Sequence, residues 1–347
     1  TLFRSVTQTR ILWSLVQVQH ALPTLQKPPI RVAFVFIHSQ NDRNCLCCRR
    51  STHNCYLKQR EISMASKIQK LLFVDTNIWL DFYRAQNEAY LGLLEKVEGI
   101  KSRIIVTHQL ESEFKKNRQQ VIVNSMRVLK DHMPKKVPSV GVLAQKQEFK
   151  MLGKDIEKAC SRIKNLQNQL MAMIESPADR DKVFQAVNRI FHKEDALVLN
   201  RDEGHKELRQ EIRERAHRRF LHGCPPRKTS DTSYGDAINW EWMIECAIRN
   251  SAELVIVSRD ADYGITHENK SYINDHLRQE FSNRVSQRRK LLLYTKLSDA
   301  LKHFKVAVTQ EQVQAEAEFI ENDDATSRAH ESEQSESNAK MLAHLLG

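Results

Sequence analysis

Two short apolar runs in this chain end in acidic residues. Leu71-Leu72-Phe73-Val74 leads straight into Asp75, and Leu254-Val255-Ile256-Val257 leads into Ser258-Arg259-Asp260-Ala261-Asp262. An unbroken apolar run of this length suits a strand buried on both faces, as in a parallel sheet covered by helices. The flanking sequence agrees. Apolar residues recur at helical spacing from Ile78 to Leu94, and Arg103-Ile104-Ile105-Val106-Thr107 reads as a second strand. A helix then begins near His108 and carries Leu110, Glu111, Glu113 and Phe114. Tyr234-Gly235-Asp236 opens another helix through Ile248, Lys290–Tyr294 reads as a further strand, and Leu297–Phe304 as a short closing helix. Strands alternating with helices predict an α/β fold with a mostly parallel sheet and helices on both faces.

The stretch 115–228 breaks this alternation. It is rich in Lys, Arg, Gln and Glu, is punctuated by Pro134, Pro138, Pro177 and Pro225-Pro226, and reads as an inserted helical subdomain. The expected layout is therefore a domain over 64–305 with a helical insertion at about 120–228. The segment 306–347, rich in Glu, Ser and Gln, is expected to be an acidic, mostly disordered tail. Residues 1–63 differ from the rest: nine Lys and Arg against two acids, and short apolar runs without partners. They read as a non-native or disordered extension, with Met64 the expected true start. Within them, Cys45, Cys47, Cys48, His53 and Cys55 offer thiolate and imidazole ligands for zinc, at irregular spacing.

The formal net charge of +11 gives a basic body with an acidic tail, which points to a polyanionic partner, most simply nucleic acid. Of seven cysteines, an odd number, the three outside the Cys45–Cys55 cluster (Cys160, Cys224 and Cys246) are scattered, which suits a reducing, cytoplasmic setting for the body of the chain. No stretch reaches the roughly 18 unbroken apolar residues of a membrane span. The chain has no Gly-x4-Gly-Lys-Ser/Thr phosphate loop and no Gly-x-Ser-x-Gly nucleophile elbow.

The placement of the acids carries the chemistry. In open α/β sheets, ligands sit beyond the carboxyl ends of the strands. Asp75 and Asp260, with Asp262 close behind, follow strands directly, while Asp236 and Glu113 lie in the first turns of helices, which start on the same sheet edge. Four chain segments thus deliver carboxylates to one rim. Like charges at close quarters raise one another's pKa, and a bound cation relieves them. Oxygen-only ligands favour hard ions, Mg²⁺ or Mn²⁺.

Val74-Asp75-Thr76-Asn77, Glu113-Phe114 behind a strand, Gly235-Asp236-Ala237 opening a helix, and Val257-Ser258-Arg259-Asp260-Ala261-Asp262-Tyr263 resemble the four acidic motifs of PIN-domain nucleases. Leu291-Leu292-Leu293-Tyr294 through Leu301 resembles that domain's last strand and helix. With its long insertion, the chain is similar to the larger bacterial PIN-like proteins of unknown function. The resemblance implies a three-layer α/β/α fold and a Mg²⁺- or Mn²⁺-dependent nuclease, usually acting on RNA. It implies Asp75, Glu113, Asp236 and Asp260 as catalytic, metal-binding acids, with Asp262 an additional metal ligand and Asn77 and Ser258 as supporting residues. Glu111 competes with Glu113, which is preferred because an apolar residue follows it. The resemblance also makes a homodimer an expectation.

Within the insertion, a basic helical run carries Arg209, Arg213 and Arg218 as candidate nucleic-acid contacts. The competing reading is a solvated helix laced by Glu211–Arg215 and Glu214–Arg218 pairs. Trp240 and Trp242 are expected in the core. A PIN-like module that binds nucleic acid or regulates without cleaving is the alternative function.

Overall fold

The computed structural model describes residues 68–323, apart from 86, 136–139, 228–232 and 269. The readings made on 1–63, the Cys45–Cys55 cluster and Met64, and on 324–347, lie outside the described residues. The elements run β1 (Lys70–Val74), α1 (Thr76–Arg84), α2 (Glu88–Gly99), β2 (Val106–Thr107), α3 (His108–Asp131), α4 (Gln147–Glu175), a single turn at Pro177–Arg180, α5 (Lys182–Phe191) and β3 (Val198–Leu199). They continue with α6 (Lys206–Leu221), α7 (Gly235–Asn250), β4 (Glu253–Val257), β5 (Gly264–His267), β6 (Lys270–Ile273), α8 (Asp275–Arg284), β7 (Leu291–Tyr294) and α9 (Leu297–His303). Residues 310–323 form a last described helix, α10.

The central sheet is parallel throughout. β4 lies between β1 and β7, and β2 pairs with β3. A parallel bridge from Leu72 to Ile104 and the bond from Ile105 N–H to the Leu72 carbonyl (2.8 Å) join the two ladders. The strand order is therefore β3-β2-β1-β4-β7. All five residues of β4 are buried, and so are the last four of β1, as their unbroken apolar runs predict. Helices cover the sheet to give the three-layer α/β/α fold, and the core runs continuously from Leu71 to Ala315. The chain winds outward from β1 to β3 on one side, then returns to β4 on the other. The order reverses between β1 and β4, so the crevice where such folds bind ligands opens there.

Several expectations change. The second strand is shorter than 103–107: only Val106 and Thr107 form a ladder, because a short helical turn occupies Lys101–Arg103. The insertion is not purely helical, since Val198–Leu199 contributes an outer strand to the sheet. Its boundary near 120 falls inside the continuous helix α3. A buried cluster ties it down: Asp181 accepts from Arg118 (2.5 and 2.9 Å) and from the Tyr83 hydroxyl (2.8 Å). The tail expected over 306–347 is ordered in its first part. Glu316 of α10 accepts from the N–H groups of Leu297 (2.5 Å) and Ser298 (2.9 Å), satisfying the open end of α9. Phe319 packs on Tyr90, with ring centroids 5.3 Å apart. Trp240 and Trp242 are buried as expected. Among the described residues, no helix is long and apolar enough to cross a membrane.

Candidate active site at the sheet switch point

Asp75 leaves β1 and caps α1. Its Oδ1 accepts from the Thr76 N–H at 2.6 Å, the usual use of Asp at a helix start. Its Oδ2 accepts from Ser258 Oγ at 2.6 Å, and Ser258 leaves β4, the neighbouring strand. Ser258 Oγ also accepts from the Asp260 N–H at 3.1 Å, fixing the turn that carries Asp260. Asn77, in the first turn of α1, reaches back to Asp260 Oδ1 at 3.5 Å, a long contact. The ends of β1 and β4 are thus laced together across the crevice by Ser258 and Asn77, the two residues expected to support the acids.

Glu113 comes from α3. Thr76 Oγ1 donates to its Oε2 (3.0 Å) and Gln109 Nε2 to its Oε1 (2.7 Å). Glu111, two residues earlier, turns instead to Lys115 and His192. α7 begins against this carboxylate. A Cβ placed on Gly235 would stand 2.6 Å from Glu113 Oε1 and 2.7 Å from Gln109 Nε2, so glycine there lets the helix bearing Asp236 approach.

The four acids meet electrostatically at Tyr263. This side chain is fully buried, and its hydroxyl has no hydrogen-bond partner among the described residues. Burial, followed by the charges of Asp236, Asp75, Asp260 and Glu113, pushes the phenol well above its ordinary pKa. Asp75 reports the same crowding. Its pKa is raised from 3.8 to about 6, chiefly by burial and then by Asp260, against the lowering effect of its bonds to Ser258 and Thr76. Asp262 lies partly buried in the same turn, just before Tyr263.

The donor set is all oxygen and its charges repel, which fits a hard divalent cation. As they stand, no three His, Cys, Asp or Glu side chains among the described residues are grouped closely enough to hold an ion. Asp75 and Glu113 each spend both oxygens on protein donors, so metal binding would exchange some of these bonds for coordination.

Arg213 meets His108 at 3.2 Å and Arg209 lies close enough to act on it electrostatically, whereas Arg218 is exposed farther along α6. Of the pairs the competing reading expected, Arg215 turns from Glu211 to Glu245 of α7, at 3.0 Å. Sequence reasoning passed over Thr76, Gln109 and Tyr263. The Gln109–Glu113 spacing of four residues was a readable signal, and so was a Gly directly before Asp236. Comparison with curated proteins and with solved structures gives no match. The family model of the PIN domain matches residues 72–263, more than half of the chain and a span that includes all four acidic segments, so the chain belongs to the PIN-domain family.

Proposed function

We propose that this protein is a divalent-metal-dependent nuclease that hydrolyses phosphodiester bonds, with RNA as substrate and endonucleolytic cleavage as its action. Proteins of its family are generally nucleases. The observation that carries the reading is the meeting of the four acid-bearing segments beside the crevice between β1 and β4: Ser258 joins Asp75 to the turn of Asp260, Thr76 joins the start of α1 to Glu113, and Gly235, next to Asp236, abuts Glu113.

In this reading Asp75, Glu113, Asp236 and Asp260 hold Mg²⁺ or Mn²⁺, with Asp262 as a further ligand. When bound, such an ion polarises a phosphoryl oxygen and makes water a nucleophile near neutral pH. The protein supplies the frame. Ser258 holds Asp75 and the Asp260 backbone in register across two strands, and Asn77 steers the Asp260 carboxylate. Thr76 and Gln109 orient Glu113. In this reading Asp262 also positions the attacking water.

The test is cleavage of end-labelled single-stranded RNA and DNA by the full chain with Mn²⁺, with EDTA, and in Asp236→Asn. The expected result is metal-dependent internal cleavage of RNA that Asp236→Asn loses. Cleavage that survives EDTA, or is unchanged in the variant, overturns the assignment. Salt-sensitive RNA binding without cleavage would favour the binding-module alternative.

A further inference from the structure

The described arginines differ in what holds them. Arg84, Arg118, Arg189, Arg215, Arg219, Arg249, Arg259, Arg278 and Arg284 each face a carboxylate. Arg201, Arg209 and Arg213 do not, among the described residues, yet each is held in place by a neutral acceptor. Arg201 donates to Ser112 Oγ at 2.7 Å. Arg209 donates to the backbone carbonyls of Asn200 (2.9 Å) and Asp202 (2.7 Å). Arg213 meets His108 Nε2 at 3.2 Å. A guanidinium fixed by neutral groups keeps its full charge for something else.

The three converge on His108, which is buried and stays neutral. Its pKa falls to about 4, through burial first and then through Arg213, Arg201 and Arg209. A protonated imidazole would add a fourth cation, and the site avoids it. His108 and Arg201 line a cleft of about 690 Å³ beyond the ends of β2 and β3, on the same edge of the sheet as the acids; Glu111, Glu194, Asp195 and Asp202 line it too, with Glu111 paired to Lys115 and Asp195 to Lys193, and Arg209 and Arg213 stand beside it rather than in its lining. The link to the acids is α3. Gln109 and Glu113 lie on one of its faces, and His108 and Ser112 are displaced by about 100° around the axis. The acidic crevice and the arginine group thus border neighbouring faces of one helix.

We propose that Arg201, Arg209 and Arg213, arrayed about His108, form an anion subsite that holds a backbone phosphate of a nucleic-acid strand next to the one crossing the acidic crevice. This rests on the nuclease reading for the strand's course, but not for the binding itself. Phosphate is the chemistry that several guanidinium donors recognise. The subsite keeps only two of the three arginines singled out on α6 and adds Arg201 and His108, which no sequence pattern marked. It sets strand register rather than base identity.

The experiment is fluorescence anisotropy of labelled single-stranded RNA and DNA of one sequence, with the full chain in EDTA across a salt series. The variant is Arg201→Gln/Arg209→Gln/Arg213→Gln. The matched control, Lys154→Gln/Lys158→Gln/Arg162→Gln on exposed positions of α4, removes the same net charge. The proposal expects the arginine variant to bind both strands at least about tenfold more weakly, while the control stays close to wild type. The slope of log K against log salt should shrink by about 0.7 for each phosphate released. Equal losses in variant and control reduce the effect to net charge and overturn the proposal. So does unchanged binding in the arginine variant, or no binding by wild type. A loss confined to RNA would assign the contact to ribose hydroxyls and overturn the phosphate assignment. If the triple variant does not fold, the three single Gln variants carry the same comparison. Because no metal is present, failure of cleavage leaves this outcome intact, and failure here leaves the acids untouched.

Discussion

Replacing Asp75 by Asn should stabilise the metal-free protein while disabling its site. Asp75 is buried, and its pKa is raised from 3.8 to about 6. An acid with a raised folded-state pKa binds its proton more tightly in the folded than in the unfolded chain. Its ionisation therefore costs stability, and the cost develops as pH rises from about 4 to about 6 and is complete above that. At 1.36 kcal/mol per pH unit, this gap amounts to about 3 kcal/mol at pH 7.5. Asn keeps an oxygen for the Thr76 N–H, but its amide nitrogen cannot accept from Ser258 Oγ, a loss of about 1 kcal/mol. The net gain is about 2 kcal/mol, or a rise in Tm of about 4–8 °C for a unit of this size.

The assay is thermal or urea unfolding in EDTA between pH 4.5 and 7.5. Wild type should lose stability relative to Asp75→Asn through that window, so the two curves diverge as pH rises. Adding Mn²⁺ at about 100 times its Kd should return about 2.7 kcal/mol to wild type and little to the variant. Parallel pH curves, or a variant less stable than wild type at pH 7.5, would refute the claim that Asp75 sits among repelling charges in a dry crevice.

Three further outcomes follow from the geometry. Gly235→Ala should displace the Glu113 carboxylate, which a Cβ would meet at 2.6 Å; because that group ends a flexible side chain, Tm should change by only a few degrees while nuclease activity is largely lost. Wild-type activity in this variant would show that Glu113 is not needed where it stands. Tyr263→Phe removes a buried hydroxyl without a partner and should stabilise the chain by about 1 kcal/mol in urea titrations, whereas destabilisation would reveal an acceptor serving it. Asp181→Ala strands the buried Arg118 guanidinium and uncaps α5, so it should cost about 3–5 kcal/mol, and a change under 1 kcal/mol would show that the insertion is not anchored there.

Much of this molecule could be read from residue order because its signals are local. β1 and β4 announce themselves as apolar runs, and each is followed within a few residues by the acid it presents at the switch point. Periodicity failed where tertiary contact decides. Val198–Leu199 is too short to stand out in a helical stretch, and it becomes a strand only because Val106 and Thr107 pair with it. The antiparallel pair β5 and β6 went unread because its outward positions leave no apolar face to count. Residues 310–323 look like polar tail, yet Glu316 finds the open N–H groups of α9 far away in sequence, and Ala315 goes into the core. In the site, the acids were legible and their partners were not. Ser258 and Asn77 stood inside recognisable motifs, whereas Tyr263 matters only because folding brings four distant carboxylates around its hydroxyl. The gathering of Arg201 with Arg209 and Arg213 likewise depends on how α6 lies against α3, which composition does not encode.

The most direct test of the account is Mn²⁺ binding to the full chain, followed by the loss of the free-ion electron paramagnetic resonance signal. Wild type should take up the ion saturably, and Asp75→Asn, Asp236→Asn and Asp260→Asn should each weaken it roughly 10–100-fold or more. Uptake that is unaffected by all three substitutions, or no uptake by wild type, would contradict a single cation site assembled from these distant carboxylates.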